Sequence, residues 1–345
     1  MKETISPETS RKIKNLGFLC AVLVVSMHVG WPAGVPLSPG WFVRQILADG
    51  IGRMAVPFFF VVSGFFLARH FDEKGWWRRE VGKRLKTLGP PYVAWSLLAL
   101  LVAVVLSLVF DLGAHRPFGS NFQVPLGHDW MAVFGLDLSK LPLDGTLWYV
   151  RCLFALVAVS PLLERAVSRP GGAWLAAAFL LLLFCWHIPS GKWGTCLYHV
   201  AQGLFYFPLG IALRKKRPRA WPPAAAAFSG LVGLALLAGK VAAAWKEWSF
   251  GYELVALSLP FLLFAAWTFA PKAEWPEWLT SCAFPIFLMH PLVVRLCQPC
   301  LLSAGMERLP CAILEWAAGV ACPCVFAWFV RKRAPRAALV LFGGR

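Results

Sequence analysis

The sequence predicts an all-α, polytopic membrane protein, and three observations lead to this prediction. Of the 345 residues, 59% are hydrophobic and only 15% are charged, whereas soluble globular proteins carry about 25% charged residues. Ten apolar segments are long enough to cross a hydrocarbon core of roughly 30 Å, several of them only by tilting or with flanking residues. Lysine and arginine residues concentrate in alternate loops between these segments. We therefore expect about ten transmembrane helices.

The predicted spans follow one another along the chain with no stretch that looks like a linker between domains. The first span comes directly after Lys12 and Lys14, as in a signal peptide, but no convincing small-residue cleavage site follows it. We interpret it as a retained helix. In order, the predicted spans are 15–31, 51–68, 88–110, 145–163, 172–188, 197–213, 221–239, 251–270, 278–298 and 311–330.

The basic residues indicate the orientation of the chain. There are 34 Lys and Arg residues, and the formal net charge is +17. With the N-terminus in the cytoplasm, 24 of them lie on the inner side and seven on the outer side, in agreement with the positive-inside rule. We therefore expect both termini in the cytoplasm and a multi-pass protein of the cell membrane, that is, an inner or plasma membrane. Since topology accounts for the basic excess, the expected partner is the lipid bilayer, with no nucleic acid.

Polar residues inside the predicted spans are the candidate functional residues, because each costs roughly 2.5 to 3.5 kcal/mol at that depth. His28 lies about 13 residues into the first span, roughly 20 Å from its cytoplasmic end. Arg53 begins the second span, and Arg151 lies about two helical turns into the fourth. His290 lies in the outer half of the ninth span, and Arg295 follows it. A single buried histidine often serves only helix packing, but this set converges on one depth and favours a site.

The chemistry of these residues favours proton transfer. Desolvation and cationic neighbours both favour the neutral imidazole, so His28 is a candidate general base near pH 7. An arginine close by would stabilise an oxyanion or hold an acidic acceptor. The sequence contains no GxSxG motif, so direct proton abstraction from a hydroxyl is favoured over a covalent serine intermediate.

Two further features remain open. The basic segment "KGWWRREVGKRLK" (74–86) is typical of an interfacial helix on an anionic leaflet, and the alternative is a site for a specific anionic ligand. Of the ten cysteines, Cys196, Cys297, Cys300 and Cys311 lie near the predicted outer face and could pair in an oxidising compartment, with no connectivity indicated. The isolated "CQPC" (297–300) is a weak zinc signal, and no metal is expected.

The segments also resemble, in order and spacing, the signatures of the integral-membrane acyltransferase family 3, whose members O-acylate glycans and other acceptors. "VPFFFVVSGFF" (56–66) is the most specific of them. The resemblance covers nearly the whole chain. The other matching segments are "LVVSMH" (23–28), "KRLKTLGPPYVAW" (83–95), "GTLWYVRCLFALVAVSPLL" (145–163), "FYFPLGIAL" (205–213) and "FPIFLMHPLVV" (284–294).

The resemblance implies roles for individual residues. His28 corresponds to the family's essential first-helix histidine, which activates the acceptor hydroxyl or receives the acyl group. The implied donor is a cytoplasmic acyl-CoA, commonly acetyl-CoA, and the implied acceptor is a glycan or lipid-linked saccharide. Lys83, Arg84 and Lys86 offer partners for the phosphates of the donor. Arg53, Trp148 and His290 match motif positions that line the acceptor side or polarise the carbonyl, and Arg151 is added on its depth alone.

One position departs from the family pattern. The family usually has an arginine eleven positions before the histidine, and this sequence has Gly17 there. An arginine at that position would share the face of His28 near the cytoplasmic end, where it could meet the donor phosphates. Lys14 is displaced around the helix and could substitute only by reaching. Donor binding by the first helix is therefore in doubt.

The leading interpretation is a single transmembrane acyltransferase domain over residues 1–345, with no fused soluble domain. It would move an acyl group, expected to be acetyl, from acyl-CoA to a hydroxyl of a cell-surface polysaccharide or its lipid-linked precursor. The alternatives are a transporter or exporter of a polar or anionic solute, and a catalytically inactive relative, which Gly17 suggests. The sequence does not indicate the acceptor, the acyl chain length or the oligomeric state.

Overall fold

The predicted all-α class is confirmed by the computed structural model of the protein. The structure describes residues 5–32, 34–120, 122, 124, 130–137, 141–170, 172–186, 194–216 and 222–343, and within these ranges every regular element is helical. The α-helices are α1 (Pro7–Ser26), α2 (Pro39–Val43), α3 (Ala55–Leu67), α4 (Trp76–Leu106), α5 (Trp130–Val133), α6 (Leu147–Ala158), α7 (Ser160–Ser168), α8 (Ala173–Trp186), α9 (Gly194–Lys216), α10 (Pro223–Trp245), α11 (Gly251–Thr268), α12 (Glu277–Thr280), α13 (Ala283–Ser303), α14 (Arg308–Arg333) and α15 (Pro335–Phe342).

The number of candidate spans is smaller than the ten expected from the sequence. Within the described residues, seven helical segments are long and apolar enough to cross a membrane, and the count is eight if α6 and α7 form one bent span. α1 is not among them, since its first half carries Arg11, Lys12 and Lys14, and α8 has only 14 residues. The protein is a multi-pass integral membrane protein, and the cytoplasmic location of its termini stays a prediction.

α1 ends earlier than the predicted span 15–31. The helix stops at Ser26, and His28 lies in the turn that follows it. The indole N–H of Trp31 donates to the carbonyl of Ser26 at 2.7 Å. Because α1 ends at Ser26, the carbonyl of this residue receives no hydrogen bond from a following helical turn. The indole of Trp31 supplies the missing donor, so the chain can turn here without leaving an unpaired oxygen. The expectation that His28 projects from a continuous helix is therefore wrong.

α4 begins at Trp76, well before residue 88, where the sequence predicted the third span to start. Gly75 precedes it with a φ of 69°, a left-handed conformation that glycine adopts without strain. Lys83, Arg84 and Lys86 therefore lie on the helix itself and not in a separate loop. Pro90 and Pro91 lie inside α4 and do not end it.

The predicted span 145–163 is broken. α6 and α7 meet at an angle of 66° beside Pro161. Proline cannot donate a backbone hydrogen bond, so carbonyls of the preceding turn lose their partners. The indole N–H of Trp77, at the start of α4, donates to the carbonyl of Ala158 at 3.0 Å, and the Ser160 hydroxyl donates to the carbonyl of Val157 at 2.7 Å.

The centre of the protein is the contact between α3 and α9. Phe60 on α3 and Phe207 on α9 are completely buried. Gly64 on α3 lies against the carbonyl of Phe207, and Gly210 on α9 lies against the carbonyl of Val61, so that a Cβ at either glycine would overlap backbone of the facing helix. Small residues are what allow helices in a membrane to approach this closely.

We predict that Gly210→Leu lowers the thermal unfolding temperature of the detergent-purified protein, because α3 and α9 would have to separate. Overpacking of this kind costs about 1 to 3 kcal/mol or more. The matched control is Gly82→Leu on α4, where an added Cβ meets nothing within 4 Å. Equal unfolding temperatures for the two variants would contradict the proposed close packing.

Candidate active site

The imidazoles of His28 and His290 are in contact. Their ring centroids are 4.8 Å apart, and the ring planes are inclined by 67°. His28 comes from the turn after α1, and His290 comes from the middle of α13, which packs along α1. The structure therefore brings together two histidines that are far apart in sequence.

His290 is held in one orientation. Its side chain is completely buried, and Nδ1 lies 2.8 Å from the carbonyl of Ile286. A carbonyl only accepts, so Nδ1 carries the proton and donates, and Nε2 of the neutral ring is left with a free lone pair. Nε2 is buried and has no hydrogen-bond partner among the described residues. An unpaired buried acceptor beside another imidazole is typical of a functional site.

His28 is exposed, although residues next to it are not. Its neighbours Ser26, Val29 and Trp31 are buried, whereas His28 itself keeps an exposed surface. A small molecule can therefore reach His28, while His290 is completely buried.

Arg53 is placed beside His28 by a tight backbone contact. It lies on the one-turn 3-10 helix Ile51–Met54 before α3. Gly52 fits against the last turn of α1, where an added Cβ would lie 3.0 Å from the Ser26 hydroxyl. The Arg53 guanidinium is close enough to act electrostatically on His28, and it forms an ion pair with Asp49 at 3.3 Å.

A third imidazole, that of His199, is not among the residues predicted from the sequence. His199 on α9 stacks on Trp148 of α6, with ring centroids 3.6 Å apart and planes inclined by 7°. The charges of Arg151 and Arg53 both act on it. Arg53 therefore acts electrostatically on both His28 and His199. The signal in the sequence was a further histidine inside the predicted span 197–213.

Arg151 and Arg295 both hold backbone near the start of α6. Arg151 donates to the carbonyl of Gly135 at 2.6 Å. Arg295 donates to the carbonyl of Leu143 at 3.5 Å, and its charge acts on the next residue, Asp144. The carboxylate of Asp144 accepts hydrogen bonds from the backbone and hydroxyl of Thr146, at 3.2 and 2.8 Å. Burial nevertheless raises the pKa of Asp144 to about 7.

Two of the three predicted donor-binding cations, Lys83 and Arg84, lie near one buried carboxylate, Glu80. Lys83 Nζ lies 3.8 Å from Glu80, and Arg84 Nη2 lies 3.9 Å from it. Lys86 is exposed, and Arg84 Nε is buried without a hydrogen-bond partner among the described residues. Glu80 neutralises part of this charge, so the group keeps a net positive charge that suits an anionic ligand.

Gly17 is buried in α1, and an added Cβ would meet only the Phe58 ring, at 4.0 Å. The position therefore has room for a Cβ. Among the described cysteine side chains all nine are free thiols, including Cys196, Cys297, Cys300 and Cys311.

The site can be compared with known proteins. The chain matches the family model described as an acyltransferase domain, that of acyltransferase family 3, over residues 13–332. Comparisons with curated proteins and with solved structures find no significant match. The matched range includes α1 from residue 13 onward, the His28 turn, the basic start of α4 and His290 on α13. Since it spans most of the chain, this protein belongs to acyltransferase family 3.

Proposed function

We propose that the protein is an O-acyltransferase that moves an acyl group, expected to be acetyl, from acyl-CoA to a hydroxyl of a cell-surface polysaccharide or lipid-linked saccharide. The single observation that supports this most is the accessible imidazole of His28 against the buried imidazole of His290, inside a membrane acyltransferase. We take residues 1–345 as one catalytic domain with both termini in the cytoplasm.

In this mechanism His28 removes the proton of the acceptor hydroxyl. The hydroxyl oxygen then attacks the thioester carbonyl, and the carbon–sulfur bond breaks to release the thiolate of coenzyme A, which takes up the proton from His28. Arg53 stabilises the negative charge that develops on the carbonyl oxygen. His290 acts through its contact with His28, because its own ring is buried.

The two substrates approach from opposite sides in this proposal. The donor is polyanionic, and Lys83, Arg84 and Lys86 hold its phosphates from the cytoplasmic side. Trp148, stacked with His199, and Arg151 line the acceptor side. An aromatic face suits the apolar face of a sugar ring, and the guanidinium suits hydroxyl or acidic groups.

We predict that His28→Ala abolishes acyl transfer from radiolabelled acetyl-CoA to a panel of free and lipid-linked saccharides. Loss of a general base typically costs about 10²- to 10⁴-fold in turnover. Replacement of the distant exposed His115 by Ala is the matched control and is expected to behave as wild type. Flux of a saccharide through vesicles without coenzyme A would instead support a transporter.

We predict that Lys83→Gln, Arg84→Gln and Lys86→Gln together raise the KM of the acyl-CoA donor more than the KM of the acceptor. Charge-assisted bonds to phosphate are worth about 1.5 to 3 kcal/mol each when shielded, and less at exposed positions. Initial-rate kinetics with both substrates varied measure the two constants. Unchanged donor kinetics in the triple variant would indicate that the basic segment 74–86 only anchors the protein at the membrane surface.

We predict that Gly17→Arg lowers the KM of the donor, because it would restore the arginine of the family pattern at a position where an added Cβ meets no close contact. The matched control is Gly17→Met, which introduces a side chain of similar length without the charge. A difference in donor KM between the two variants therefore measures the effect of the charge. If both substitutions change the donor KM equally, the charge at this position has no part in donor binding. An inactive wild type that gains transfer with Gly17→Arg would identify the protein as a relative that has lost its donor site.

A further inference from the structure

We propose that Glu315 is a positioning residue for His28, holding the turn that carries the imidazole by accepting a hydrogen bond from the backbone N–H of Gly30. This inference rests on the proposed function, since it takes His28 as the reactive base. It concerns a residue on α14, an element with no part in the mechanism described so far.

Glu315 is a buried carboxylate in an apolar helix, with 1% of its surface exposed. Burying a carboxylate is expensive unless it is paired or hydrogen-bonded. Here each oxygen has one donor: Oε2 accepts the Gly30 N–H at 3.0 Å, and Oε1 accepts the Cys311 thiol at 3.1 Å. One oxygen of this buried carboxylate, which is costly to desolvate, therefore binds a backbone amide close to His28.

That amide belongs to irregular backbone and has no helical acceptor. The His28 N–H donates to the carbonyl of Val25 at 3.0 Å, and the Trp31 N–H donates to that of Val29 at 2.9 Å. These bonds are local, and they join the turn only to the end of α1 and to itself. The bond from Gly30 to Glu315 instead joins the turn to a separate helix, so it fixes the turn in space.

Steric contacts also restrict the position of Gly30. A Cβ on Gly30 would overlap the Gln298 side-chain amide of α13, and it would lie 3.7 Å from Glu315 Oε2. The indole N–H of Trp316, next to Glu315, donates to the carbonyl of Val22 at 3.1 Å. α14 therefore binds the backbone both before and after the end of α1.

The consequence for His28 is geometric. His290 is fixed on α13 by its own hydrogen bond to Ile286, so the distance between the two imidazoles depends on where the turn is held. Glu315 contacts backbone two residues from His28 and not the ring itself. It acts by orientation, and an uncharged acceptor of the same shape should replace it in large part.

The test compares four variants of the full chain in detergent: Glu315→Gln, Glu315→Met, Cys311→Ala and His28→Ala. Hydrogen–deuterium exchange of peptides containing Gly30 measures how firmly the turn is held. The rate at which diethyl pyrocarbonate modifies His28, followed by mass spectrometry across pH, measures the environment of the imidazole. Acetyl transfer from acetyl-CoA measures kcat and the donor KM.

Glu315→Met is expected to accelerate exchange at Gly30 and to lower kcat about ten- to a hundredfold, the range expected for a misplaced catalytic group, with the donor KM unchanged. Glu315→Gln is expected to stay close to wild type, since the amide oxygen can accept the same bond. Cys311→Ala removes the other contact of the carboxylate, and it should leave exchange at Gly30 unchanged.

Wild-type exchange and wild-type kcat in Glu315→Met would overturn the inference, and so would equal losses in Glu315→Gln and Glu315→Met. If Glu315→Met does not fold, Glu315→Asp replaces it: its carboxylate is one methylene shorter and is drawn away from the Gly30 N–H, so wild-type exchange at Gly30 together with a normal kcat would overturn the inference. Full transfer activity in His28→Ala would overturn the proposed function instead, while exchange at Gly30 still reports whether Glu315 holds the turn.

Discussion

The end of α1 at Ser26 is the constraint on which the rest of the site depends. If α1 continued as a helix through residue 31, helical geometry alone would set the direction in which His28 projects. Because α1 stops, the carbonyl of Ser26 needs a new donor, and the indole of Trp31 supplies it. The turn that follows can then face α13, where His290 lies. Buried backbone oxygens without partners would make this arrangement too costly.

Because buried polar groups need hydrogen-bond or ionic partners, the polar side chains of the site also occur in bonded pairs and groups. Arg53 is paired with Asp49, Arg84 and Lys83 lie around Glu80, and Asp144 is bonded to Thr146. Each set lowers the cost of placing a charge among apolar helices. His28 differs, since its ring contacts His290 and the residue keeps an exposed surface. The proposed chemistry requires this side chain to be available to a substrate.

Much of the fold and part of the candidate site could be predicted from the sequence. Physical reasons explain both what could be predicted and what could not. Hydropathy located the long apolar helices but not the short helices α2, α5 and α15. Residue counting brought His28 and His290 to one depth, because spans must cross a layer of fixed thickness. The run "VSMHVGW" stays apolar past Ser26, so periodicity gave no sign that α1 ends there. The stack of His199 on Trp148 and the reach of Glu315 to Gly30 join residues distant in sequence. Their partners could be found only in three dimensions.

Under the proposed function, the hydrogen bond from Trp77 to Ala158 links the elements assigned to the two substrates. It joins the first turn of α4, the helix that carries Lys83 and Arg84, to the bend at the end of α6, the helix that carries Trp148 and Arg151. The two helix ends are therefore in direct contact, and a change at one end acts on this bond. Since thermodynamic linkage is reciprocal, any strengthening of acceptor binding by a bound donor is matched by an equal strengthening of donor binding by the acceptor.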